Sequence, residues 1–154
     1  ALGVLGLCWS GTCDGSDAFV SLLLLAYVAS FATKLSDTVA SEVGKAYGKH
    51  TYLVTTFESV SPGTEGAVSW EGTIAGVIAS LIMAAVGWSL GLLDAIGLVW
   101  CAIAAFIATT IESAIGAIWQ DRFEWLTNEL VNVINTFVGA IVVVLLAVAW
   151  RWLH

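Results

Sequence analysis

The sequence predicts an all-α fold, a polytopic transmembrane helix bundle of about four spans with a polar loop on the cytoplasmic side. Three observations carry this. Of 154 residues, 59% are hydrophobic and only 11% charged, with a mean hydropathy of +0.93, and a soluble domain of this size cannot cover its surface with so few charges. Three runs, Ile74 to Leu93, Leu98 to Trp119 and Val131 to Trp152, each approach the roughly 20 apolar residues that a hydrocarbon core of about 30 Å requires. A fourth, Ala18 to Val43, has a polar second half. The whole of 1–154 reads as a single transmembrane domain.

In chain order, residues 1–8 (ALGVLGLC) are apolar but too short to span. They read as the tail of a helix whose beginning is absent or as a surface segment; with no initiator methionine, the expectation is a fragment or processed chain lacking N-terminal helices. No basic region precedes them, so no signal peptide is expected. WSGTCDGSD (9–17) is a loop by its Gly, Ser and Asp content, with Ser16 or Asp17 as helix cap. Helix one is expected over 18–47, longer than the bilayer core at 1.5 Å per residue. The connection 48–72 holds the only proline, Pro62, and within it TYLVTTF is rich in β-branched and aromatic residues, as short extended segments are. Helices two (73–92) and three (96–120) form an antiparallel hairpin about Asp94, and QDRFEWLTNE leads into helix four (129–153). Gly72/Gly76, Gly87/Gly91 and Gly139/Ala140 supply small faces for close helix contact.

The 45–72 connection and the 120–128 link are separated by two spans and share a side. That side carries Lys45, Lys49 and Arg122, the other Arg151 with Asp14, Asp17 and Asp94; the positive-inside rule places the long loop in the cytoplasm or its equivalent. Nearly every polar residue within a helix then falls at that end: Lys34, Asp37, Ser41 and Glu42 in helix one, Thr109, Thr110, Glu112 and Ser113 in helix three, Asn132 and Asn135 in helix four. Such convergence describes a pocket at the membrane surface, open to water on one side and lipid on the other.

A net charge of −7 argues against nucleic acid as a partner, while divalent cations reverse that sign locally. Cys8, Cys13 and Cys101 lack CxxC or CxxH spacing, so neither a zinc site nor a disulfide framework is indicated. His50 and His154 have no ligand partners at useful spacing. Lys34 and Asp37 stand at i and i+3, Asp37 and Ser41 at i and i+4. Glu42 is about 140° around the helix from Asp37, so the two carboxylates do not share one narrow face. These charges are either the exposed end of an over-long helix or a functional set, since ionisable groups in spans are costly. Glu112, in an otherwise uncharged run, needs a cation or a paired Lys34. Asn128, Asn132 and Asn135 form one stripe, for interhelical bonding or ligand contact. SPGTEGAVSWEGT offers glycines, hydroxyls and the carboxylates of Glu65 and Glu71 ahead of a helix N-terminus, without a Walker lysine. It is a pattern for phosphate and a hard divalent ion such as Mg²⁺.

At these residues, FATKLSDTVASEVGKAYGKHTYLVTTF, then SPGTEGAVSWEGTIAG, ESAIGA and LTNELVNVINTFVGA, the sequence resembles the integral-membrane family of the phytyl-phosphate kinase of plastids and cyanobacteria, which has archaeal and animal relatives. The resemblance runs in order over about 28–142. It implies transfer of a phosphoryl group from a nucleoside triphosphate, CTP favoured, to the prenyl monophosphate lipid phytyl phosphate, giving phytyl diphosphate for tocopherol synthesis. It also implies a cyanobacterial membrane or chloroplast envelope location with the site on the cytoplasmic or stromal side. Family members carry further N-terminal spans and a basic stretch that this chain begins after. With that activity, Asp37, Glu112 and Lys34 are the catalytic candidates. Asp37, Glu42, Glu65, Glu71 and Glu112 are the candidates for Mg²⁺, and Lys45, Ser41, Thr64, Gly66, Ser69, Asn132 and Asn135 those for substrate phosphates. Whether the chain forms a homo-oligomer stays open. The rival is a membrane carrier or ion-binding transport protein, which predicts polar groups near the midplane and an inverted repeat.

Overall fold

The computed structural model describes residues 15–120 and 127–153. Four helices make the bundle, α1 (Gly15–Tyr47), α2 (Trp70–Ser89), α3 (Ala95–Ile115) and α4 (Asn128–Leu153), and a two-stranded antiparallel ladder, β1 (Thr51–Leu53) with β2 (Ala67–Ser69), closes the long connection. All four are long and apolar enough to cross a membrane. In each spanning window no more than a third of the residues is buried, so the rest of an apolar surface faces outward, which only lipid makes tolerable. The arrangement is the expected all-α transmembrane bundle.

Element boundaries follow local chemistry. α1 starts at Gly15, ahead of the caps expected at Ser16 and Asp17. α2 starts three residues earlier than expected because Ser69 caps it, its hydroxyl accepting from Gly72 N–H at 3.1 Å. Asp94 does the same for α3, accepting from Gly97 N–H at 2.6 Å; each cap satisfies a donor that the first helical turn leaves without a partner. α3 ends sooner than 120, passing into a single π-helical turn at Gly116–Gln120. Gly91 serves the α2–α3 turn with φ +71° rather than the helix contact expected of it. Cys8, Cys13, Asp14, Arg122 and His154 lie outside the described residues, as do the side chains of Asp17 and Asn128.

α1 packs against α2, α3 and α4, and α3 against α2 and α4. Small residues set the spacing. A Cβ at Gly76 would stand 2.9 Å from Ser36 O and Ala40 Cβ of α1, one at Gly87 would stand 2.7 Å from Val28, and one at Gly139 would enter Thr33. Away from the loop, Leu25, Val28, Leu93, Cys101, Val143 and Ala147 close a dry core. The connectivity brings the C-termini of α1 and α3 and the N-termini of α2 and α4 to the other end, beneath the loop.

Candidate functional site

The loop is built as a cover. Ser61, Pro62, Gly63 and Thr64 form a turn with Thr64 N–H on Ser61 O at 3.2 Å; Pro62 supplies the fixed φ of its second position and Gly63 the positive φ of +91° at its third. The segment TYLVTTF is extended only over Thr51–Leu53, and Phe57 turns the chain at φ +58°. Strand β2, absent from the sequence reading, pairs Ser69 with Thr51 and Ala67 with Leu53. This ladder ties the end of α1 to the start of α2. At Gly66, φ +72°, a Cβ would overlap Ala117 and Ser113 O, so only glycine lets the loop rest on the end of α3.

Beneath this cover lies a cavity of about 410 Å³, within the usual size range of ligand pockets. Most of the candidate residues line it: Lys34, Asp37, Ser41, Glu42 and Lys45 from α1, Thr64, Glu65, Gly66 and Ser69 from the loop, Glu112 from α3 and Asn132 from α4. Glu71 and Asn135 are not in its wall. Glu71 sits in the first turn of α2, one residue and so about 100° from Gly72, whose face meets α1; the turn that seats Ser69, Gly72 and Thr73 on the cavity carries it aside. Asn135, 1% exposed, lies behind the wall.

At the centre is a polar belt across three helices. The Lys34 ammonium donates to Asn132 Oδ1 at 2.5 Å and Asp37 Oδ2 at 3.3 Å. Asn135 Nδ2 donates to Glu112 Oε2, and the Asp37 and Glu112 carboxyls are close enough to act on each other, with Lys34 close enough to act on both. The intrahelical Lys34–Asp37 pair is therefore real, but part of a larger network. Two carboxyls at contact repel unless a cation stands between them or one holds a proton. Asn135 Oδ1 is buried without a hydrogen-bond partner among the described residues.

The rim differs from the centre. Glu42 pairs with Lys45 at 3.5 Å, with their side chains 70% and 56% exposed. Ser41 and Thr64 hydroxyls donate to Thr38 O and Ser61 O at 3.0 and 2.7 Å, leaving their lone pairs toward the cavity. Sequence reasoning passed over Ser36 and Gly116, which also line the cavity; both are small residues in helical runs and send no signal. Among the described residues no group of three or more His, Cys, Asp or Glu converges on one point. Asp37 and Glu112 are the two carboxyls that the centre of the cavity brings together.

Fold and site together define an integral membrane protein with a water-side polar cavity walled by carboxylates, lysines and a glycine-rich loop. The chain belongs to the family described as integral membrane protein DUF92, whose pattern matches residues 2–140. It is 54% identical over 138 residues to an uncharacterized membrane protein of Synechocystis, covering 90% of this chain and 54% of that one. To the chloroplastic protein VTE6 of Arabidopsis thaliana it is 53% identical over 134 residues, 86% of this chain and 40% of the relative. An uncharacterized membrane protein of Methanocaldococcus jannaschii is 40% identical over 124 residues, 80% and 51% of the two chains. The chain thus spans about half the length of these relatives. No solved structure matches it significantly.

Proposed function

We propose that the protein is a membrane-embedded phosphotransferase of prenyl-lipid metabolism that moves a phosphoryl group from a nucleoside triphosphate, CTP favoured, to phytyl phosphate. A phosphate oxygen of the lipid attacks the terminal phosphorus of the donor, the bond to its bridging oxygen breaks, and the nucleoside diphosphate leaves as phytyl diphosphate forms. The observation that carries this reading is the belt of Lys34, Asp37 and Glu112 inside a cavity roofed by the Thr64–Ser69 loop. The likeness to a chloroplastic relative and a cyanobacterial membrane protein agrees with a plastid-type prenyl-lipid pathway.

Phosphoryl transfer asks for positioning and charge neutralisation more than for a base, and the attacking monoester is already anionic. Asp37 and Glu112 would hold Mg²⁺, which supplies the neutralisation of triphosphate charge. Lys34 orients one phosphate by direct hydrogen bonding, having a third ammonium donor beyond those used on Asp37 and Asn132. Lys45 at the rim attracts the incoming donor, and the N-terminal turn of α2 behind Ser69 presents amide donors to an anion. Thr64 and Gly66 shape the roof against the donor's phosphates, and Asn132 holds Lys34 in place. The carrier reading fits less well, because the polar groups gather at one end of the bundle rather than at its middle.

The deciding assay is purified protein with phytyl phosphate, Mg²⁺ and labelled CTP or ATP. Label appears in phytyl diphosphate if the reading holds; no transfer from either donor sinks it.

A further inference from the structure

A second cavity opens on the lipid side of the same helices. Between α1 and α4 runs a groove of about 480 Å³ walled by Leu23, Ala26, Tyr27 and Phe31 on one side and Phe137 and Ala140 on the other. Of its three hydroxyls, two are already spent on the backbone, Ser30 donating to Tyr27 O and Thr136 to Val133 O, each at 2.8 Å, and the third is the phenol of Tyr27. What the groove offers a ligand is mainly apolar surface and, at one end, a single charge. That charge is Lys34, which lines both this groove and the polar cavity.

Depth supports the same conclusion. From Ala18, where the apolar run begins, to Thr33 is 16 residues of α1, about 24 Å at 1.5 Å per residue, most of the roughly 30 Å of a hydrocarbon core. Lys34 then stands where hydrocarbon gives way to headgroups. From Leu23 to Lys34 the groove covers about 16 Å of helix, half a bilayer, which is the reach of one chain hanging from a phosphate at the interface. Gly139 lets α4 close on Thr33 of α1, and Tyr27 and Phe31, with ring centroids 5.0 Å apart, stand side by side in one wall.

We infer that the α1–α4 groove is the acceptor-chain site: it holds the hydrocarbon tail of a prenyl monophosphate, with the phosphate delivered past Lys34 into the polar cavity. This assignment rests on the phosphotransferase reading for its substrate, and adds the route and the residues. A neutral alcohol of the same tail lacks the group that Lys34 holds and binds weakly.

Two measurements test it. Ala26→Trp and Ala140→Trp fill the groove; each is expected to raise KM for phytyl phosphate about tenfold or more while leaving KM for the nucleotide unchanged. Ile78→Trp, on the lipid face of α2 outside both cavities, leaves both constants unchanged. Independently of turnover, a prenyl monophosphate carrying a diazirine at its tail end, reconstituted with the intact protein in liposomes, labels peptides around 23–31 and 137–140. Excess phytyl phosphate suppresses that labelling and phytol does not. Label spread evenly over the lipid faces of α2 and α3, or suppressed equally by phytol, overturns the groove. Groove labelling with no phosphoryl transfer from CTP or ATP keeps the groove and removes the kinase reading instead.

Discussion

The two ends of the bundle are made by the same helices and differ in nearly everything else. At the far end, Leu25, Val28, Leu93, Cys101 and Val143 interlock with almost no exposure, Gly87 brings α2 onto Val28, and a short turn about Asp94 ties α2 to α3. At the loop end the positions facing inward are Lys34, Asp37, Glu112 and Asn132, and a cavity replaces the packing. A bilayer offers no hydrophobic gain for pulling helices together. Contact between small residues does that work at the sealed end, and the open end is left to chemistry. Stability and function are thereby separated along one axis, so substitutions at the two ends should fail in different ways.

Glu112→Gln is the sharpest test of this division. It keeps a partner for Asn135 while removing a charge beside Asp37, and turnover should fall at least about 100-fold, the scale on which electrostatic stabilisation of transferred charge operates; thermal unfolding in detergent should barely move. Activity retained within a few-fold would assign the carboxylate to structure. Next in size is Asn132→Leu, which releases Lys34 from its 2.5 Å acceptor. About a tenfold loss in kcat/KM for phytyl phosphate is expected, read by steady-state kinetics, with a smaller change for the nucleotide.

At the sealed end the sign of the outcome reverses. Gly87→Val drives a branched side chain into Val28 and should destabilise by about 1–3 kcal/mol, measured by denaturation in mixed micelles, with kcat of the folded fraction unchanged. A fall in kcat without loss of stability would mean that the two ends are coupled. Smallest of all, Glu42→Gln breaks an exposed pair with Lys45 and should change stability by less than about 0.5 kcal/mol. If it instead abolished turnover, Glu42 would belong with Asp37 and Glu112 at the centre.

Much of this was legible in the sequence for identifiable reasons. Spans follow from hydropathy summed over some 20 residues, a signal too long to be overridden locally, and the described residues hold four where about four were expected. The polar end was legible because charges inside spans are rare enough to stand out. What stayed hidden was pairing at long range. Lys34 and Asn132 are 98 residues apart, and nothing in either helix says that they meet. The three-residue strand Ala67–Ser69 exists only because Thr51–Leu53 lies beside it, and AVS alone carries no strand signal. Glu71 shows a third limit. Its segment does line the cavity, but the face Glu71 takes depends on where α2 begins, and Ser69 rather than a later residue caps it.

The length of α1 has one more consequence. At about 50 Å for its 33 residues, the helix exceeds the hydrocarbon it crosses, and its apolar stretch ends abruptly at a lysine. On the phosphotransferase reading, membrane thickness then becomes a variable of the reaction. In a bilayer thicker than that stretch the ammonium is drawn below the plane of the headgroups; in a thinner one it rises above them, and mismatch is relieved by tilting at a fraction of a kcal/mol per ångström. The protein is in this sense tuned to one membrane, and lipids of graded acyl length would act on it as a dial.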